Sequence, residues 1–233
     1  MDTASTADVG VIIVAAGTGS RTGSTELKQF RWVAGKPMLL HSVQRCMERS
    51  DVAVVIAVLP RSHAGDPPPW IFQCDVDRLL VSAGGRGRGD SVYAGLTDLP
   101  PEVRIVVIHD AARPLMDAET LDRVIAVART GSGAVAGVPM TDTLKRVNDA
   151  DRVVETVDRA HLWRAQTPQA FPRDMIERAY ADALAHGIRA TDDAALCERL
   201  GMPVAIVRGS ERAIKITEEA DFARVEALAL APQ

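Results

Sequence analysis

Aliphatic residues recur in two registers along the chain. Val9–Ala15 is an unbroken apolar run (Gly10 aside) closed by Gly17, and Val52–Leu59 is a second, closed by Pro60. Such runs, bounded by glycine or proline, predict strands buried on both faces. Leu79–Val81, Ile105–Ile108, Ala134–Val138, Val204–Val207 and Ile214–Ile216 predict shorter strands of the same sheet. Between them the apolar spacing becomes helical. Pro37 opens one helix, with Leu39, Val43, Cys46 and Met47 in phase through about Ser50. Asp90–Leu99 is a second, and Asp117 caps a third that runs to Arg129 and stops at Gly131. Pro172–His186 stops at Gly187, Thr191–Leu200 stops at Gly201, and Thr217 caps a last helix through about Leu230.

Alternation of this kind predicts an α/β fold: a Rossmann-like, mostly parallel sheet with helices on both faces. One stretch breaks it. Thr143–Val147 and Val153–Val157, joined by Asn148-Asp149-Ala150-Asp151, predict a β-hairpin. Nothing beside it closes a second core, so it reads as a protruding arm, residues 140–163, on a single domain spanning 9–230. Residues 1–8 read as a disordered tail, and the proline-rich stretch Arg61–Trp70 as a surface loop.

Composition narrows the class. Apolar residues make up 47% of 233 and aromatics only 4%, so Val, Ile, Leu and Ala must fill the core. The net charge of -4 argues against a nucleic-acid partner, which calls for a basic excess. Any phosphate contacts must then come from local cations. Cys46, Cys74 and Cys197 show no metal-binding spacing and read as reduced thiols. No apolar run approaches the roughly 20 residues that span a bilayer, and the first residues lack a secretory pattern, so a cytoplasmic protein without membrane contact is expected.

The first strand ends in Ala15-Ala16-Gly17-Thr18-Gly19-Ser20-Arg21. Ligands of open α/β sheets bind at the carboxyl ends of strands. Gly17 and Gly19 allow close approach of backbone N–H groups to an anion, and Arg21 and Lys28 add two positive charges. That combination suits a polyphosphate. The Walker A pattern is absent. The dinucleotide fingerprint fails too, because Thr22 stands where its third glycine belongs and the second strand ends without an acidic residue.

The motifs then become specific. Val14-Ala15-Ala16-Gly17-x-Gly19-x-Arg21 with Leu27-Lys28-Gln29-Phe30 resembles the signature loop of sugar-phosphate nucleotidylyltransferases. The Lys-Gln pairing, Ala83-Gly84-Gly85-x-x-Arg88-x-Asp90-Ser91-Val92 and His109-Asp110-Ala111-Ala112-Arg113-Pro114 resemble the cytidylyltransferases of the methylerythritol phosphate pathway of isoprenoid synthesis. Asp142–Arg146, Thr156–Arg159, Leu162-Trp163, Gln166–Gln169, Thr191–Asp193 and Ile214–Thr217 follow in family order. Val14 and Leu27 stand where the family often has proline, and Arg86 and Gly87 where it often has acidic residues.

The resemblance implies the fold of nucleotide-diphospho-sugar transferases and the transfer of a cytidylyl group from CTP to a sugar-alcohol phosphate. Arg21 and Lys28 are then the catalytic cations. CTP is held by Ala15, Ala16, Gly17, Gly19, Gly84, Gly85, Ser91, Asp110, Ala111 and Lys215. The sugar phosphate is held by Arg113, Thr143, Arg159, Thr191 and Lys215. Mg2+ is the implied cofactor, bound mostly by substrate phosphates, with Asp110 as a protein ligand. No histidine is assigned a catalytic role.

Three readings follow: the methylerythritol phosphate acceptor, ribitol 5-phosphate as the alternative acceptor, and a nucleotide-binding regulatory protein without catalysis. Retention of Arg21, Lys28 and Lys215 weighs against the last. An isolated hairpin is marginal in water, so Val147, Val153, Val154 and Val157 need partners. A homodimer exchanging arms is expected, with Arg159 reaching the neighbouring site. The chain stops soon after its last helix, so the second enzyme that some relatives carry fused is not expected here.

Overall fold

The protein is described as a computed structural model over residues 7–17 and 26–231. Its elements in order are β1 (Val9–Val14), β2 (Trp32–Val33), β3 (Lys36–Pro37), α1 (Met38–Met47), β4 (Val52–Leu59), α2 (Arg61–Ala64) and β5 (Leu79–Ala83). Next come α3 (Arg88–Thr97), β6 (Ile105–Asp110), α4 (Ala118–Ala128), β7 (Gly133–Pro139), β8 (Leu144–Val147) and β9 (Val153–Val157). The last are β10 (Trp163–Pro172), α5 (Arg173–His186), α6 (Asp193–Arg199), β11 (Val204–Arg208) and α7 (Ala220–Leu230).

The central sheet has seven strands in the order β11-β7-β10-β6-β1-β4-β5. All pairings are parallel except those of β10, which runs against both β6 and β7. Side-chain alternation divides the core in two. Val9, Val11 and Ile13 of β1 pack with α1 and α4, while Ile12 packs with α3, α5 and α6 on the other face. Helix α3 lies so close to β1 that a Cβ on Gly95 would stand 2.6 Å from Ile12.

From β1 the chain steps outward to β4 and β5, then returns to β6 on the other side of β1. The switch point therefore falls between β1 and β6, where α/β sheets open a crevice at their carboxyl ends. Because β10 is reversed, β7 ends and β10 begins at that same end. The β8–β9 arm is inserted there, paired through Leu144 with Val157 and Lys145 with Thr156. An ion pair between Arg146 and Glu155 at 2.6 Å ties its strands. Asn148 Oδ1 accepts from Ala150 N and Arg152 N in the turn, and Val147, Val153 and Val154 are exposed.

Several expectations need correction. Ile214–Ile216 is not a strand; it is a strap whose Ile216 N–H donates to Ala112 O at 2.8 Å. The last helix begins at Ala220, and Thr217 does not cap it; Asp221 Oδ2 instead accepts from Thr217 N, Thr217 Oγ and Glu218 N. Helix α6 begins at Asp193 with Asp192 as its cap, which leaves Thr191 outside. Strand β10 was not anticipated, because Gln166, Thr167 and Gln169 interrupt its apolar pattern. The stretch 61–70 is not wholly loop: it holds α2 and the start of a 3-10 helix, Pro69–Gln73. Of the expected tail, residues 1–6 lie outside the described residues, while Asp8 is anchored by Arg129 at 2.7 Å and accepts from Arg104 N and Ile105 N.

Candidate active site

A cavity of about 470 Å³ opens at the switch point. The first loop contributes Ala15, Ala16, Gly17 and Lys28 to its wall. The second contributes Gly85 and Ser91, the third Asp110 and Ala111, and the strap Lys215. Nine of the expected site residues thus converge from four separated segments. Gly19 and Arg21 lie outside the described residues.

Strand parity aims the third loop. Asp110 shares a face with Ile108, on the α3 side, where Arg88 begins the helix. Arg88 Nε donates to Asp110 Oδ1 at 3.0 Å, and Lys215 Nζ donates to Asp110 Oδ2 at 2.6 Å. Burial pushes the Asp110 carboxyl up, but the two cations outweigh it and hold the group well below the usual carboxylate range. Arg88 also forks onto Asp193, fully buried, which accepts from Tyr180 Oη at 2.5 Å as well. Burial opposes the charge on Arg88, and the two carboxylates more than restore it. A row of alternating charges therefore runs from Asp193 through Arg88 and Asp110 to Lys215.

His109 has the opposite parity and leaves the cavity. Its Nε2 lies 3.1 Å from Arg113 O and its Nδ1 3.2 Å from Thr167 Oγ. A carbonyl can only accept, so Nε2 carries the proton and Nδ1 accepts from threonine. Burial pushes its pKa down to about 4, so the ring is neutral and structural. The register shift in β10 between Ala165 and Gln169 places Thr167 Oγ to accept from Asp110 N at 3.0 Å.

The second loop is set by contact. A Cβ on Gly84 would stand 2.2 Å from Ala16 Cβ, so only glycine fits there. Gly84 N donates to Leu59 O at 2.7 Å, and the residue supports the cavity from behind. Ser91 Oγ accepts from Gly85 N and donates to Gly87 O, which fixes the loop ahead of α3. Lys28 Nζ donates to Ile216 O at 2.7 Å and so joins the first loop to the strap. Ile216 is buried with Val33 and Met38 beneath that bond.

Besides Gly84, four expected residues lie apart from the cavity wall. Arg113 is spent on main-chain acceptors, Ala213 O at 2.7 Å and Ala165 O at 3.5 Å. Thr143 and Arg159 line a separate hollow on the arm, and Arg159 NH1 also donates to Thr141 O. Thr191 is exposed on the approach to α6. Conversely, the pairing of Arg88 with Asp193 was not foreseen. Both residues sit in quoted motifs, but no spacing rule links positions so far apart.

Glycine-lined strand tips facing two lysines and an ion-paired carboxylate suit a polyphosphate, as an α/β enzyme of the nucleotidyltransferase class requires. The comparisons fix the family. Residues 9–230 match the model for IspD, 2-C-methyl-D-erythritol 4-phosphate cytidylyltransferase, and the chain belongs to that family. A relative from Symbiobacterium thermophilum, named 2-C-methyl-D-erythritol 4-phosphate cytidylyltransferase, is 41% identical over 94% of this chain and 92% of its own. A bifunctional IspD/IspF enzyme of Desulfotalea psychrophila is 38% identical over 93% of this chain, which spans only 55% of that longer protein. The crystal structure of the Thermus thermophilus 2-C-methyl-D-erythritol 4-phosphate cytidylyltransferase superposes with a TM-score of 0.81 at 32% identity, covering 96% of this chain and 100% of that one.

Proposed function

We propose that the protein transfers a cytidylyl group from CTP to 2-C-methyl-D-erythritol 4-phosphate and releases pyrophosphate. The family match across residues 9–230 is the observation that carries this reading. The acceptor phosphate is already ionised near neutral pH, so its oxygen needs no strong base. It attacks the α-phosphorus, the bond to the β-phosphate breaks, and pyrophosphate leaves with the electron pair. The remaining work is to bring two anions together and offset the charge that accumulates. Lys28 and Lys215 stand at the cavity for this, and Arg21 is assigned the same task. Backbone groups of Gly85 and Ala111, with Ser91, suit recognition of the cytosine edge, while Gly84 holds that loop in place.

Mg2+ fits the site as an ion held chiefly by phosphates. Among the described residues, Asp110 is the one carboxylate in the cavity wall, and no group of three metal-ligating side chains occurs. Each oxygen of Asp110 already accepts one cationic donor but keeps a lone pair for a metal. The ion would add Lewis-acid neutralisation of the phosphates.

The arm supports a homodimer. Thr143 and Arg159 lie on it away from the cavity, and exchange of arms across a two-fold axis would carry them to the partner's site. Arg113 and Thr191 are proposed to meet the sugar phosphate only after local rearrangement. Cytoplasmic residence is supported by three free cysteines. No helix of the described residues is long and apolar enough to cross a membrane.

The test is pyrophosphate release from CTP and Mg2+ with each acceptor in turn. Turnover with methylerythritol phosphate and none with ribitol 5-phosphate is expected. Exclusive use of ribitol 5-phosphate overturns the acceptor, and silence with both favours a nucleotide-binding regulator.

A further inference from the structure

Among the described residues, three buried side-chain atoms have no hydrogen-bond partner: Ser42 Oγ, Arg113 Nε and Gln29 Nε2. Of these three residues, only Gln29 also lines the cavity. Its side chain is almost wholly shielded, at 3% exposure. Folded proteins rarely keep a buried donor unsatisfied, because its lost hydration is not repaid. The orphan nitrogen sits just behind the wall that the residue forms, where a turn of the carboxamide would carry it to an acceptor that comes with the ligand.

The turn that carries Gln29 is held firmly. It belongs to the 3-10 helix Lys28–Phe30, closed by Phe30 N to Leu27 O at 2.9 Å and Arg31 N to Lys28 O at 3.2 Å. Phe30 is buried in the core and meets Trp70 and His63 edge-on. The carboxamide is thus presented by a braced backbone, which keeps the ordering cost of a contact low.

The neighbours decide which acceptor it meets. Lys28 precedes it in the same turn, and Lys28 bonds to the strap that carries Lys215. These cations mark the polyphosphate part of the cavity, whereas Gly85 and Ser91 belong to the α3 loop assigned to the base. An amide nitrogen can only donate, and a phosphate oxygen can only accept.

We propose that Gln29 donates a hydrogen bond from Nε2 to a polyphosphate oxygen of the bound nucleotide, as a neutral positioning contact beside Lys28. This rests on the cytidylyltransferase reading.

The experiment uses the full chain and compares wild type with Gln29→Met, which keeps the shape and removes the donor, and Gln29→Glu, which places a negative charge there. Binding of CTP, CMP and cytidine is measured by calorimetry, with and without MgCl2, beside thermal unfolding of the free proteins. Gln29→Met is expected to weaken CTP about tenfold, the size of a lost hydrogen bond to a charged acceptor, and to leave cytidine unchanged. Its free-state unfolding midpoint should hold or rise, because an orphan donor has gone. Gln29→Glu should discriminate against CTP more steeply than against CMP. A lower midpoint with CTP and cytidine weakened alike would assign Gln29 to structure and overturn the proposal. Unchanged CTP affinity in Gln29→Met would overturn it too, while leaving the functional reading intact. Failure of wild type to bind CTP would end both.

Discussion

Arg88 grips Asp193 with both terminal nitrogens, at 3.0 and 2.8 Å, across 105 residues of sequence. The pair locks the start of α3 to the start of α6. Removing the Asp193 charge takes from the shielded Arg88 its two-pronged partner and leaves it Asp110 alone. Asp193→Asn is therefore expected to lower stability by about 3 kcal/mol, measured by urea denaturation. A loss below about 1 kcal/mol would mean that water already screens the pair.

Lys28 should matter for rate far more than for folding. Lys28→Met is expected to slow turnover roughly 100- to 1,000-fold, by analogy with loss of one charge-stabilising donor. Circular dichroism should stay native. Arg21→Met should behave alike. Turnover within a few-fold of wild type in either variant would remove that residue from the reaction.

His109 gives a pH signature. Its folded pKa is depressed to about 4, against about 6.5 when unfolded. The unfolded chain therefore takes up a proton first as pH falls. The stability from neutral His109 is present above about pH 6.5 and declines toward pH 4, by up to about 1.4 kcal/mol per pH unit. Urea midpoints of metal-free protein at pH 7 and pH 5 should show this, and His109→Asn should flatten the difference. Equal pH dependence in both proteins would contradict it.

Exchange of arms can be tested by mixing. Lys28→Ala and Arg159→Ala proteins, each inactive alone, should recover activity when combined, because mixed dimers contain one site with both residues intact. No recovery after subunit exchange would place Arg159 in its own protomer's site. Val154→Asp, on an exposed arm face, should shift sedimentation toward monomer.

Gly84→Ala would force its new methyl against Ala16 and is expected to destabilise by about 1–3 kcal/mol. CTP affinity should fall with it. A variant as stable as wild type would show that the two loops can separate freely.

Most of the frame was legible because burial on both faces leaves a plain signature. Val52–Leu59 was read to the residue, and Asp117 was placed correctly as a cap. The errors have physical causes. Gln166, Thr167 and Gln169 are buried by bonds to Ser210 O, Asp110 N and Asp192, so polar letters occupy a core strand. The alternation of Ile214 and Ile216 looks like a strand, yet one backbone bond and Lys28 hold that segment without a ladder. The cavity residues were found through motifs, whereas Arg88 with Asp193 and the orphan amide of Gln29 depend on distances that no spacing reveals.

The reversed β10 has a consequence for how such proteins diversify. Any chain spliced between β7 and β10 must leave and return at the catalytic rim, whatever its length. An extension there can be lengthened, trimmed or redecorated without shifting a single sheet register. On the roles proposed for the arm, acceptor contacts and subunit pairing would then change through one insertion point, while the sheet that carries the cavity stays fixed.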